Sequence, residues 1–145
     1  MDHDSAIQLR EFASRYTAAW CSQEASRVAS FFSPLGSLAI NGGAPAVGRI
    51  AITGAAKGFM TAFPDLKVTM DDLLDQGDRV IYKWTLSGTN AGPRGTGQRV
   101  RISGFEEWKI GSDGLIAESQ GHFDGAAYQR QLENGVDGEE WQALG

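Results

Sequence analysis

The sequence has one cysteine, Cys21, so it cannot close an internal disulfide. No apolar run approaches the roughly 18 residues that a membrane-spanning helix needs. Basic residues number 13 against 18 acidic ones, for a net charge of −5. That balance argues against nucleic acid, whose binding is driven by Lys and Arg neutralising phosphates. Histidine is also scarce, with only His3 and His122. A metal site draws three or four ligands from His, Cys and carboxylates. His3 falls in an expected loose terminus and His122 with Asp124 supplies two ligands, so no metal is expected. Met1, Asp2, His3 and Asp4 make an acidic start with no apolar stretch behind it. No secretory signal is expected there, and a cytoplasmic setting is the default reading.

What remains is an ordinary globular composition, 41% hydrophobic and 21% charged over 145 residues, long enough for one domain with a sizeable core. Glycine is abundant at 19 and proline sparse at 4, as expected of strands joined by turns. There is no internal repeat and no dividing linker, so residues 1–145 read as a single domain. Residues 133–145 form an acidic tail. Trp141 and Leu144 in it share a spacing that would let a last turn dock, and disorder is the equal alternative.

Ser5 to Gln8 fits a capping box, and Leu9, Phe12, Ala13, Tyr16, Ala19 and Trp20 then recur at spacings of three and four. This predicts a first helix starting near Ser5. Ser22 is a plausible cap for a second helix, from Gln23 to Phe32, ended by Pro34 and Gly36. A short strand covers Ser37–Asn41, and Ala46-Val47 is a candidate return strand. A third helix is expected over Arg49–Phe63 and stops at Pro64. Gly54 and Gly58 lie four apart in it, an arrangement that would let a neighbour pack closely.

After Pro64 the period becomes two. Strands are predicted from Leu66 to Leu73, from Val80 to Ser87, from Gln98 to Ile110 and from Leu115 to Phe123, divided by turns at Gln76–Asp78 and Ser112–Gly114. A short helix comes next, over Gly125–Leu132. Helices followed by long strands imply α+β, with helices on one face of an antiparallel sheet. A sheet curled over helices leaves a concavity that suits a small molecule. The Gly92–Gly97 run joins strand to strand, so it is no dinucleotide or phosphate loop. No Ser or Cys sits in a nucleophile motif.

Strict alternation from Ile116 puts Glu118, Gln120, His122 and Asp124 on one strand face. If that face lines a pocket, the pocket holds an acid, a base and an amide. Asp124 admits two readings. In an apolar pocket its charged form would be penalised, which suits it to trade a proton with a carbon acid. Immediately before a helix it would instead cap the first turn. His122 would orient Asp124, share its proton or protonate a substrate oxygen, and Gln120 would bond a carbonyl. Tyr16, Trp20, Phe59, Phe63, Tyr82, Trp84 and Trp108 read first as core. One or two of them could wall a pocket for a flat apolar ligand. Asn41 and Asn90 read as turn residues.

Several stretches carry a family resemblance: Gly48–Ile52, Ala62–Leu66, Gly77–Val80, Trp84–Thr89, Asp113–Glu118, and Asp124 followed by Gln131-Leu132. Their order and spacing resemble the SnoaL-like polyketide cyclases of the NTF2-like superfamily, over about Tyr16 to Leu132. The resemblance implies a cone-shaped α+β domain with three N-terminal helices on a curved antiparallel sheet, often a homodimer through the outer sheet face. It implies cofactor-independent acid/base chemistry on a small apolar, polyketide-like carbonyl compound, with Asp124 at the acidic position near the end of the last strand. The sequence departs from the family pattern at Gln120, where Trp is usual, and at Asn90, where His is usual. A non-catalytic binding or dimerisation module, and a hydrolase or dehydratase using the same pocket, are the alternatives. Neither nucleic acid nor membrane is an expected partner.

Overall fold

The computed structural model describes residues 3–136, with the side chains of Ser5 onward. The Trp141 and Leu144 expectation, with the rest of 137–145, lies outside the described residues. The elements run α1 (His3–Trp20), α2 (Ala25–Ala29), β1 (Phe32–Ile40), β2 (Ala46–Val47), α3 (Arg49–Ala62), β3 (Lys67–Asp75), β4 (Val80–Thr89), β5 (Arg99–Ile110), β6 (Ile116–Phe123) and α4 (Gly125–Asn134). Among the described residues one six-stranded sheet holds every strand, in the order β2-β1-β6-β5-β4-β3. The four long strands expected after Pro64 are all present. The sheet is mixed rather than wholly antiparallel, because β1 pairs with β6 in parallel.

The largest difference from the sequence pattern is around Pro34. The second helix is only five residues long and ends at Ala29, while Phe32 already belongs to a strand. Pro34 and Gly36 therefore sit inside β1 instead of terminating a helix. They form an irregular bulge. Phe32 pairs with Ile116 and Ser37 with Glu118, so six positions of β1 oppose three of β6. A Cβ on Gly36 would come 2.8 Å from the Ile116 carbonyl oxygen, which explains a glycine there. The first helix begins two residues before the Ser5 cap, at His3. Gly54 and Gly58 do not admit a close neighbour: a Cβ on either would meet nothing within 4 Å.

The helices and strands enclose one core. Tyr16 and Ala13 of α1, Val28 of α2, Ile52 and Ala56 of α3, and Val100, Trp108 and Ile116 of the sheet are all fully buried. Aromatic rings make edge contacts through it. Tyr16 meets Phe31, Tyr82 and Trp108 at centroid distances of 5.2–5.7 Å. Such geometry aligns ring edges with ring faces and adds about 0.5–1.5 kcal/mol per pair beyond area burial. Asn41 and Asn90 are turn residues as expected. Asn41 has φ of +51° and its side-chain oxygen accepts the Phe123 N–H. The Asn90 side-chain oxygen accepts the Thr96 N–H and its amide donates to the Ala62 carbonyl, tying the glycine-rich loop to the end of α3.

Candidate functional site

One apolar cavity opens between the sheet and the helices. Trp20 of α1, Phe59 of α3, Trp84 of β4, Phe123 of β6 and Tyr128 of α4 supply aromatic walls, and Leu38, Ile40, Val68, Leu86 and Ile102 supply aliphatic ones. Its volume is about 60 Å³, several times the ~10–15 Å³ that one water needs. Three lining residues carry a polar group: Tyr82, Tyr128 and Glu106.

Glu106 lies on β5 in phase with Val100, Ile102 and Trp108, the inward-facing set. It is 7% exposed. A charge so placed must be paired or hydrogen-bonded, and three donors converge on it. Oε1 accepts from the Ser119 hydroxyl at 2.6 Å, the Tyr16 hydroxyl at 2.9 Å and the Trp108 indole N–H at 3.0 Å. Oε2 accepts only a longer arm of the Tyr16 hydroxyl, at 3.2 Å. One oxygen is therefore saturated and the other retains capacity for a further partner. Burial pushes the Glu106 carboxyl up from its ordinary range, and the Ser119, Trp108 and Tyr16 donors pull it part of the way back.

The surrounding phenols are held neutral. Burial, followed by the Glu106 charge, pushes Tyr16 well above its usual value. Burial likewise raises Tyr82, against the pull of its bond with Thr17, and burial alone raises Tyr128. The Tyr82 and Thr17 hydroxyls are 2.5 Å apart. These phenols keep their protons across the physiological range and remain hydrogen-bond donors.

Glycine shapes the space beside the acid. Gly121 sits opposite Glu106 in the β5–β6 ladder, with Tyr82 opposite it on the other side. A Cβ at Gly121 would lie 3.5 Å from the Ala39 carbonyl oxygen and 3.8 Å from Glu106 Cγ, both ordinary contacts. A glycine there leaves a cavity-lining position beside Glu106 without a side chain. Gly104 is different: its Cβ would fall 2.6 Å from the Trp84 ring and 2.3 Å from the His122 carbonyl oxygen. Its absence lets Trp84 and Phe123 meet edge-on, at 6.0 Å, as part of the cavity wall.

The expected face of β6 is not the one that lines this cavity. Ile110 pairs with Ile116 and Lys109 with Glu118, leaving Ala117 as an extra residue. That bulge reverses the alternation, because one added residue moves every later side chain to the opposite face. Ile116 and Ser119 are both fully buried, and Gly121 and Phe123 line the cavity. Gln120 and His122 are carried to the outer face. Gln120 bonds Glu118 at 3.0 Å, and the His122 ring lies against Phe105 with centroids 4.9 Å apart. Asp124 is exposed, and its Oδ1 accepts the Ala127 N–H at 3.0 Å as the cap of α4.

Of the aromatic candidates, Trp20, Phe59, Tyr82 and Trp84 line the cavity. Tyr16 and Trp108 lie behind it and hold Glu106. Phe63 is fully buried and packs near Tyr128, at 6.5 Å, outside the lining. Reading by sequence missed Glu106. The signal was an acid at an inward position of an otherwise apolar strand phase, Val100, Ile102, Glu106 and Trp108. Among the described residues, no three of His, Cys, Asp and Glu converge as metal ligands, and no helix is long and apolar enough to cross a membrane.

A family model described as SnoaL-like polyketide cyclase matches residues 10–132. No protein of curated function matches the sequence significantly. Among solved structures, the chain is similar to a SnoaL-like polyketide cyclase from Jannaschia sp. CCS1, at 17% identity and a TM-score of 0.76, covering 90% of this chain and 94% of that one. It is also similar to a protein of ketosteroid isomerase-like fold from Catenulispora acidiphila, at 18% identity and a TM-score of 0.74, covering 84% and 92%. A third is AclR of Streptomyces galilaeus, described as a hydroxylase, at 22% identity and a TM-score of 0.73, covering 95% and 90%. At these identities the likeness is one of fold: an NTF2-like or ketosteroid isomerase-like domain.

Proposed function

The chain belongs to the SnoaL-like polyketide cyclase family, and on that footing we propose that it is a cofactor-independent acid/base enzyme for a small apolar, polyketide-like carbonyl compound. In this reading Glu106, rather than Asp124, trades the proton. The observation that carries it is a buried glutamate among the residues lining an apolar cavity, with one carboxyl oxygen saturated by three donors and the other left with capacity.

The chemistry balances without any further reactant. Glu106 takes a proton from carbon next to a carbonyl. The C–H electron pair flows into the carbon–oxygen system as an enolate. Where the enolate is conjugated with a double bond, a carbon further along takes the proton back and the double bond shifts, which is isomerisation; otherwise the enolate carbon attacks a second carbonyl, which closes a ring. In the second case Glu106 returns its proton to the new alkoxide. A raised carboxyl suits both halves, because a proton-trading group works best with a pKa near the working pH. Tyr128, a neutral phenol in the wall, is the candidate donor to the oxyanion. One such donor is worth about 2.7–4 kcal/mol. Fold likeness alone carries no reaction, so this reading stands on the site. We further propose a homodimer formed through the outer sheet face, where the half-buried Phe105 and His122 rings meet; light scattering on the purified protein tests it.

The test is deuterium exchange at carbon. A panel of apolar cyclic ketones and β-diketones is incubated with the protein in D2O and followed by proton NMR. The wild-type chain should accelerate exchange of at least one bound ketone, and Glu106→Gln should reduce that rate by on the order of 100-fold or more with an unchanged circular dichroism spectrum. Equal rates in the two proteins would overturn the role of Glu106. Ketones that bind without any exchange would favour a binding module, the reading supported by the three donors that already stabilise the charged carboxylate.

A further inference from the structure

The cavity has an electrostatic character that its apolar area hides. Glu106 is buried, and its three partners, Tyr16, Trp108 and Ser119, are neutral hydrogen-bond donors. Donors of this kind favour the charged carboxylate over the acid. Among the described residues, no Lys, Arg or His forms an ion pair with Glu106, and none lines the cavity. Buried charges in proteins are as a rule paired. The described part of the chain thus supplies donors to this carboxylate but no counter-charge.

The walls suit a cation. Trp20 and Phe59 meet at 6.2 Å and 72°, Trp84 and Phe123 at 6.0 Å and 67°, and Phe123 and Tyr128 at 5.5 Å and 76°. These lining rings come from α1, α3, β4, β6 and α4, so they bound the space from several sides. Their steep mutual angles make corners instead of one flat stack. An aromatic face is electron-rich and attracts a cation within about 6 Å of its centroid, more strongly where water is excluded. The lining also selects the type of cation. An ammonium with three N–H donors needs three acceptors at once. Apart from Glu106, the lining side chains offer only the phenols of Tyr82 and Tyr128. A nitrogen carrying only alkyl groups needs no acceptor, and its apolar surface matches the aliphatic walls.

We infer that the cavity is a site for a compact quaternary ammonium cation, held by the aromatic walls and balanced by the Glu106 carboxylate. Such a cation would take the place of the ketone and mask the base. Cation capture uses the same cavity and the ionised Glu106 but no proton transfer, so it stands or falls separately from ketone exchange. Exchange without a preference for cations would sustain the enzyme reading and remove this one; a preference for cations without exchange would do the reverse.

Choline and the neutral alcohol in which carbon replaces its quaternary nitrogen have the same shape and differ by one charge. Each is titrated into the full chain and followed by NMR on the tryptophan indole N–H signals. Choline should bind about tenfold or more tighter than the alcohol. In Glu106→Gln, with an unchanged circular dichroism spectrum, that ratio should fall to about threefold or less, the share left to the rings. The rest of the net charge of −5 is still present in that variant, so it controls for cations gathered at the acidic surface. Phe59→Leu keeps an apolar wall and removes one ring face. It should weaken choline by about threefold or more and the alcohol by less than about twofold, and it decides the matter if Glu106→Gln does not fold. Equal binding of the two ligands, tighter binding of the alcohol, or no choline binding at millimolar concentration would overturn the assignment. So would a preference for choline undiminished in folded Glu106→Gln, or equal losses for both ligands in Phe59→Leu.

Discussion

Replacing Ser119 by alanine isolates one of the three donors on Glu106. Ser119 is fully buried, and its hydroxyl makes the shortest bond to the carboxyl, at 2.6 Å. The substitution removes only that hydroxyl, and Oε1 keeps Tyr16 and Trp108. A hydrogen bond to a charged group is worth about 1.5–3 kcal/mol, and a neutral one about 0.5–1.5 kcal/mol. The cost therefore depends on whether Glu106 is ionised. The Glu106 carboxyl is raised in the fold above its ordinary value of 4.5. A carboxyl raised on folding contributes stability that is present below its unfolded pKa and is lost as pH rises through its folded one. Removing a donor to the carboxylate raises the folded pKa further, so the variant loses more on going to high pH. The destabilisation should be about 0.5–1.5 kcal/mol near pH 4.5 and about 1.5–3 kcal/mol near pH 8. Urea unfolding followed by tryptophan fluorescence measures it, with Trp108 bonded to the same carboxyl. With a slope of about 1–3 kcal/mol per M, a 2 kcal/mol loss moves the midpoint by roughly 1 M. Other carboxylates cancel in the difference between the two proteins. A destabilisation that is flat with pH, or larger in acid, would refute the reasoning.

Other perturbations probe the same geometry. Asp124→Ala should cost about 0.5–2 kcal/mol through the lost α4 cap while leaving ketone exchange within about twofold of wild type; a collapse of exchange at full stability would restore Asp124 as the acid. Gly121→Val should fold, because a Cβ there meets only ordinary contacts, yet should weaken binding of an apolar ketone about tenfold, roughly 1.4 kcal/mol, in a calorimetric titration. Gly104→Ala should destabilise by about 1–3 kcal/mol through overpacking, since its Cβ would meet the Trp84 ring and the His122 carbonyl; thermal unfolding reads this directly. His122→Ala, on the outer face against Phe105, should leave any exchange rate unaltered.

The sequence alone carried the local decisions. Apolar spacing and punctuation gave α1, α3 and four long strands, because helical and pleated periods are properties of neighbouring residues. The Asp124 cap was legible as one of two readings, since capping needs only a residue and the helical turn after it. The ordered stretches from Gly48 to Leu132 pointed to the family. What local pattern could not carry was phase. The Ala117 bulge is set by how β6 aligns with β5, and it turned Gln120 and His122 away from the cavity while bringing Ser119 and Gly121 toward it. The Pro34–Gly36 bulge arises the same way, from the pairing of β1 with β6. Glu106 became a site only when Tyr16, 90 positions earlier, Trp108 and Ser119 met around it. A buried acid is defined by the partners that replace its water, and those partners come from a helix and two strands. Only the tertiary structure decides that they converge.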